Sequence, residues 1–454
     1  MDWLRKIINA FVAFLMLLVS NLFGQTSQTQ QLWTLDQCIK YSLENNITIK
    51  NQELGVKIRE VDYRQSKYDF LPSLSAQSSF NQNFGRSVDP STNNYVDVKN
   101  FYNYYGVYSS IDIFSGFARL NNVAMERYNL LSEKNKLQQV KNQIAFTVIN
   151  SYFDALLKQG LFSIAKENFQ LSRNQLDYTL KFVEVGRKPE TDILETEANL
   201  AADSFLLVQS NNIMEQSFFD LKYLMNLPLE SSLNIDSLSI AFFADNFNYL
   251  TIDSLFRMAS VKLPELNIAK NQLMAAKKAV CINRGLFSPR LGLSAGWNSQ
   301  YSETFRDQNN IIIPYNNQIS NNSNEYISLG LEIPIFSKFS KYTQLKKSKL
   351  QFQIAKNQFD DETYKLKMIV NKSFMEWKAA KAEYESSLKR FEHSKIAFET
   401  AEKKLEKGII NIIEYYIQKN NWFRAKTEVL RTGLQVLLKE KYIRFLMTGS
   451  LIKN

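Results

Sequence analysis

The chain is written twice, and nothing else in it constrains the fold as strongly. TLDQCIKYSLENNITIKNQELGV from Thr34 has a counterpart in TIDSLFRMASVKLPELNIAKNQLMA from Thr251, an offset of 217, and Leu71-Pro72 matches Ser288-Pro289 at the same offset. Further on the offset becomes 222: Phe114-Ser115-Gly116 matches Phe336-Ser337-Lys338, Val185-Gly186 matches Lys407-Gly408, and Met225-Asn226-Leu227 matches Met447-Thr448-Gly449. The second copy therefore carries about five extra residues between Pro289 and Phe336, which marks an exposed loop.

Each copy reads helix, strand, loop, strand, very long helix, break, shorter helix. The expected first repeat spans 25–228, with strands about 73–84 and 102–114, a long helix about 116–185 and a shorter one about 189–226. A linker over 229–250 precedes the second repeat, 251–454, with strands about 290–301 and 326–336 and helices about 338–407 and 411–447. At 1.5 Å per residue the long helices reach on the order of 100 Å, beyond the span of an ordinary globular domain. Val370, Trp377, Tyr384, Phe391, Phe398 and Leu405 recur every seven residues, as do Val148, Ala155, Phe162, Phe169, Leu176 and Val183. That period predicts helices packed side by side along their length.

Four segments of about ten residues alternate strictly between apolar and small polar residues. Leu74, Ala76, Ser78 and Phe80 share one face of the first; Tyr105, Val107, Ser109, Ile111 and Ile113 share one of the second. Leu291, Leu293, Ala295, Trp297 and Tyr301 line the third, and Ile327, Leu329, Leu331, Ile333 and Ile335 the fourth. Their length and faces match transmembrane β-barrel strands, with Tyr105, Trp297 and Tyr301 as membrane-interface aromatics. A soluble sandwich with one wet face is the competing reading, and two long Asn-rich loops favour the barrel. Four strands cannot close a barrel, and an open edge in lipid costs several kcal/mol per unpaired backbone group, so copies of the chain must supply closure. Two copies give eight strands and three give twelve; the pattern alone does not choose.

MDWLRKIINAFVAFLMLLVSNLFGQ places Arg5 and Lys6 before an apolar run from Ile7 to Val19. That is the layout of a signal peptide over 1–24, the run being shorter than the roughly 20 residues of a spanning helix. Gly and Pro are scarce, at 14 and 8, which disfavours turn-rich all-β folds and Gly-rich phosphate loops. The net charge of +10 is dispersed among Glu and Asp along helices, a solvated-face pattern rather than a nucleic-acid site. Cys38 and Cys281 are expected as free thiols, a single bridge being the alternative. His393 stands between charged neighbours as a surface residue, and no zinc cluster, phosphate loop or nucleophile motif accompanies it, so neither enzyme, cofactor nor metal is expected.

Signal peptide, duplicated helix-strand-strand-helix unit, strands of LPSLSAQSSF and LEIPIF type, and a Gly followed six residues later by Asp or Glu ahead of a final helix together resemble the TolC-like outer-membrane efflux channels. The resemblance covers about Trp33 to Gly449. It implies a mainly α fold with a transmembrane β-barrel part: a homotrimer whose twelve strands form one barrel in the outer membrane and whose helices continue it as an α-barrel across the periplasm. It further implies a passive duct, docked by a periplasmic adaptor onto an inner-membrane RND or ABC-type exporter for multidrug or metal efflux or type I secretion. A structural or adhesive envelope stalk is the alternative; it would not require a Gly-initiated tip at the same place in each repeat.

Carried over by position, Gly186 and Gly408 are the turn glycines at the periplasmic mouth, and with Arg187 and Lys188 they mark the adaptor-docking tips. Asp192 and Glu414 hold the acidic place of a periplasmic gate or cation ring, with Glu195 as a second member where the other copy has Ile417. The family's basic latch position is Ile410 here. Capping is the competing account of these carboxylates: Pro189 suits a first turn, Glu190, Asp192 and Glu414 suit a helix N-terminus, and Asn411 with Glu414 has capping-box spacing.

Overall fold

The computed structural model describes residues 32–88, 93–97, 99–236 and 247–451; the signal-peptide segment and residues 237–246 of the linker lie outside them. The first repeat contains β1 (Leu32–Trp33), α1 (Leu35–Asn45), α2 (Ile47–Tyr68), β2 (Ser73–Asn83), a small hairpin of β3 (Arg86–Val88) and β4 (Tyr95–Asp97), β5 (Asn100–Ser115), α3 (Ala118–Glu184) and α4 (Thr191–Met225). After β6 (Asn234–Ile235) the second contains α5 (Ile252–Lys262), α6 (Pro264–Gly285), β7 (Arg290–Ser302), α7 (Tyr315–Asn321), β8 (Asn324–Glu332), α8 (Ser340–Glu406) and α9 (Ile412–Thr448).

The two copies use the same local devices. Thr34 and Thr251 cap α1 and α5 through their hydroxyls, with Gln37 and Ser254 returning the bond to the cap backbone. Both strand-to-helix turns run through successive left-handed residues, Gly116-Phe117 and Lys338-Phe339. The first needs glycine for a further reason. A Cβ on Gly116 would lie 2.2 Å from Gly285 O, so the end of α6 and the start of α3 touch backbone to backbone.

Helices α3 and α8 have 67 residues each, about 100 Å of helix. Along half its length α3 packs on α2 and α6, and along the other half on α4; α8 packs likewise on α6 and α9. The seven-residue stripe lines these seams: Val148, Ala155, Val370, Trp377, Phe398 and Leu405 are buried, and the aromatic members between them are half-buried. Where the short helices meet end to end, Asn46 Nδ2 reaches Leu224 O at 3.3 Å. At this waist β1 and β6 pair in parallel, and the buried Tyr152 hydroxyl lies 3.2 Å from Trp33 O and 3.1 Å from Asp236 O. Cys38, packed in this core, is a free thiol that burial pushes up to about 12; Cys281 is also free.

The strands form one antiparallel sheet in the order β2-β5-β7-β8. Its exposed apolar face carries Leu74, Phe80, Val107, Ile327, Leu329 and Leu331. Two details depart from the sequence expectation. A bulge after Asp112 sets Phe114, not Ile113, opposite Leu291, so Ile113 is the unpaired extra residue. The fourth strand begins at Asn324 and ends at Glu332, leaving Ile333 and Ile335 beyond it because β7 offers no further partners past Arg290. The second long loop is folded rather than open: buried Gln318 of α7 accepts from Ser302 N at 2.9 Å and donates to Ser302 O at 3.0 Å.

Candidate functional site

At the far end of the helical body the two tips have the same geometry. Gly186 and Gly408 both adopt φ +70°, and no atom lies within 4 Å of where either Cβ would stand, so backbone conformation alone requires glycine. Gly186 N donates to Val183 O and Arg187 N to Phe182 O, at 2.9 and 2.8 Å; Gly408 and Ile409 repeat this with Leu405 and Lys404 at 3.0 and 2.9 Å. These are paired Schellman closures, each terminating a 67-residue helix.

Beyond the turns the tips diverge. Helix α4 begins at Thr191, so Pro189 and Glu190 precede its first turn; Glu190 makes no side-chain cap, and Pro189 O accepts from Asp192 N at 3.1 Å. Asp192 lies 3.9 Å from the Lys188 ammonium, which also sits 5.5 Å from the Tyr178 ring. Burial pulls the Lys188 pKa down, against the opposing pull of Asp192. Arg187 is exposed. At the other tip Asn411 Oδ1 accepts from Glu414 N at 2.8 Å, leaving the exposed Glu414 carboxylate free of the cap. Glu414 lines a groove of about 350 Å³ between α8 and α9, together with Lys404, Ile410 and Ile417.

Glu195 is half-buried one turn after Asp192. Within one chain the structure does not gather Asp192, Glu195 and Glu414 into a single cluster, and among the described residues no group of three or more His, Cys, Asp or Glu could hold a metal ion. His393 is exposed on α8. At the sheet's loop end, the Tyr315 hydroxyl donates to Tyr105 at 2.7 Å, Trp297 Nε1 donates to Ser323 Oγ at 2.7 Å, and the Tyr301 ring stands 4.9 Å from that of Tyr315.

A link that the sequence reading missed joins the two hairpins, 17 residues past Gly186 on α4 and 11 past Gly408 on α9. Asp203 of α4 accepts from Asn168 Nδ2 at 2.6 Å, Ser172 Oγ at 2.5 Å and Lys419 Nζ of α9 at 2.9 Å. Lys419 also contacts Ser172 and lies between the Tyr416 and Phe423 rings. The signal was present: Ile412, Tyr416, Lys419 and Phe423 share one helical stripe, so Lys419 is a charge on a buried face.

A duplicated helix-strand-strand-helix chain with an apolar-faced sheet at one end and paired helical tips at the other defines the outer-membrane channel class. The chain belongs to the family Outer membrane efflux protein, which it matches over residues 38–227 and 255–449. It is 19% identical over 358 residues to "Outer membrane efflux protein BepC" of Brucella suis biovar 1, covering 79% of this chain and 72% of that one. It is 24% identical over 208 residues to "Alkaline protease secretion protein AprF" of Pseudomonas aeruginosa, covering 46% and 41%. Its fold is that of the outer membrane protein VceC of Vibrio cholerae, with a TM-score of 0.76 at 14% identity over 92% of this chain and 95% of that one. The family is one of passive outer-membrane channels with a long periplasmic tunnel, not of enzymes.

Proposed function

We propose that three copies close a twelve-stranded barrel and form an export duct that receives its cargo from a periplasmic adaptor and an inner-membrane pump. The observation carrying this reading is the pair of free edges: β2 and β8 each have one hydrogen-bonded neighbour in a sheet whose apolar face is exposed. Such edges are untenable in lipid. With four alternating strands, β8 of one copy runs antiparallel to β2 of the next, so identical copies continue the ladder until it closes.

The tips serve as the periplasmic mouth. Gly186, Arg187, Lys188 and Gly408 form the surface offered to the adaptor, and Asp192, Glu195 and Glu414 approach their symmetry mates around the aperture. BepC is named for efflux and AprF for protease secretion, so the family resemblance supports both kinds of cargo. The test is fractionation followed by native mass and planar-bilayer recording. A heat-modifiable outer-membrane trimer that conducts supports the duct, whereas a soluble monomer, or a trimer without conductance, overturns it.

A further inference from the structure

The sheet's second face holds a feature that channel closure turns into a binding surface. The register aligns Ser75, Tyr108, Gly296 and Tyr326 in one row across all four strands, with Tyr104 farther along β5 beyond Gly106. A Cβ on Gly106 would meet the Tyr108 ring at 2.7 Å or less, and one on Gly296 would meet the Tyr326 ring at 2.7 Å. Each phenol therefore lies over a glycine, against the sheet, in space that only a missing side chain leaves. The Tyr104 and Tyr108 hydroxyls are hydrogen-bonded to each other, tying two of the rings together.

This face is opposite the one carrying Leu74, Ile327, Leu329 and Leu331, so in a lipid-embedded barrel it lines the lumen. We propose that Tyr104, Tyr108 and Tyr326 form an aromatic belt around the barrel lumen that binds organic cations by their ring faces. The proposal rests on the three-copy reading, which repeats the patch around the wall. A tyrosine held against the wall brings its negative π face within reach of the lumen, and a weakly hydrated quaternary ammonium is the ligand that such a face selects. Charge does not compete within the belt. Its rows are filled by Ser, Gln, Asn and Gly, and the nearest carboxylate on this face, Asp112, is paired with Arg119 at 2.9 Å.

The test uses the full-length trimer in planar bilayers, with benzyltrimethylammonium as blocker and benzenesulfonate as the matched anion. Wild type is expected to show concentration-dependent block by the cation and none by the anion. Joint Tyr108→Ala and Tyr326→Ala substitution should raise the half-blocking concentration tenfold or more, while Tyr108→Phe with Tyr326→Phe should leave it unchanged. A merely structural role would lower the trimer's heat resistance in the Ala variant without moving the block. Wild-type block in the Ala variant, equal loss in the Phe variant, or a conducting wild type that is not blocked would each overturn the belt. A wild type that does not conduct overturns the duct itself, a separate result. Should the Ala variant fail to assemble, Gly296→Ala replaces it: the added Cβ lifts the Tyr326 ring off the wall, and unchanged conductance with unchanged block would refute the assignment.

Discussion

The Lys419 ammonium lies 2.9 Å from Oδ2 of Asp203, 216 residues away in sequence, and its side chain is 1% exposed. This buried pair joins the last helix of the second repeat to the last helix of the first. Burial draws the Lys419 pKa down while Asp203 holds it up, so the pair stands on mutual compensation.

Lys419→Ala strands Asp203 with only Asn168 and Ser172 as donors. We expect destabilisation of about 3–5 kcal/mol, the range for one partner removed from a buried pair. The check is the unfolding midpoint of the detergent-solubilised protein followed by circular dichroism. Joint Lys419→Met and Asp203→Leu substitution should cost less than Lys419→Ala alone, because no charge is left unpaired.

The two tip carboxylates should attract cations unequally. Asp192 is partly neutralised by Lys188 at 3.9 Å, whereas Glu414 is exposed and has no ion pair among the described residues. Glu414→Ala is therefore expected to lower cation conductance and weaken divalent block more than Asp192→Ala, measured in planar bilayers. Equal currents from both variants and wild type would reduce the two residues to helix-terminal charges.

The register makes adjacent residues of β8 unequal. Leu329 stands on the apolar face opposite Leu293, and Ser328 on the other face opposite Ser294. Leu329→Lys should cost about 2–4 kcal/mol if it faces the middle of the bilayer, and should sharply reduce the heat-resistant trimer in outer membranes. Ser328→Lys should assemble and change conductance instead. Similar assembly of both variants would remove the distinction between lipid face and lumen.

Glu265, at the start of α6, has a buried Oε2 with no hydrogen bond. Burial raises its pKa above the ordinary 4.5, with Glu362 adding to the rise against hydrogen bonds from its own backbone and Gln139. A raised carboxyl stabilises the fold below the unfolded pKa and loses that contribution as pH climbs through the folded value. Glu265→Gln should thus gain stability relative to wild type as pH rises above 4.5 and then level off. Thermal midpoints across pH 4 to 8 provide the measurement, and a pH-independent difference would contradict the assignment.

Much of the architecture is local and was therefore legible. The offsets of 217 and 222, the seven-residue stripe through Val370 and Trp377, and the alternation through Leu74 and Phe80 each arise from how successive side chains face one core. The tip glycines belong here too, since a left-handed residue closing a helix is a property of a few consecutive positions. Tertiary structure alone decided which residues meet. The pairing of Lys419 with Asp203 depends on the rotation and axial shift of one hairpin against another, which neither helix's period specifies. The bulge at Ile113 and the Tyr326 ring lying over Gly296 depend on cross-strand register, where a single-residue slip exchanges the two faces. Periodicity determines what each element buries; only packing determines against what.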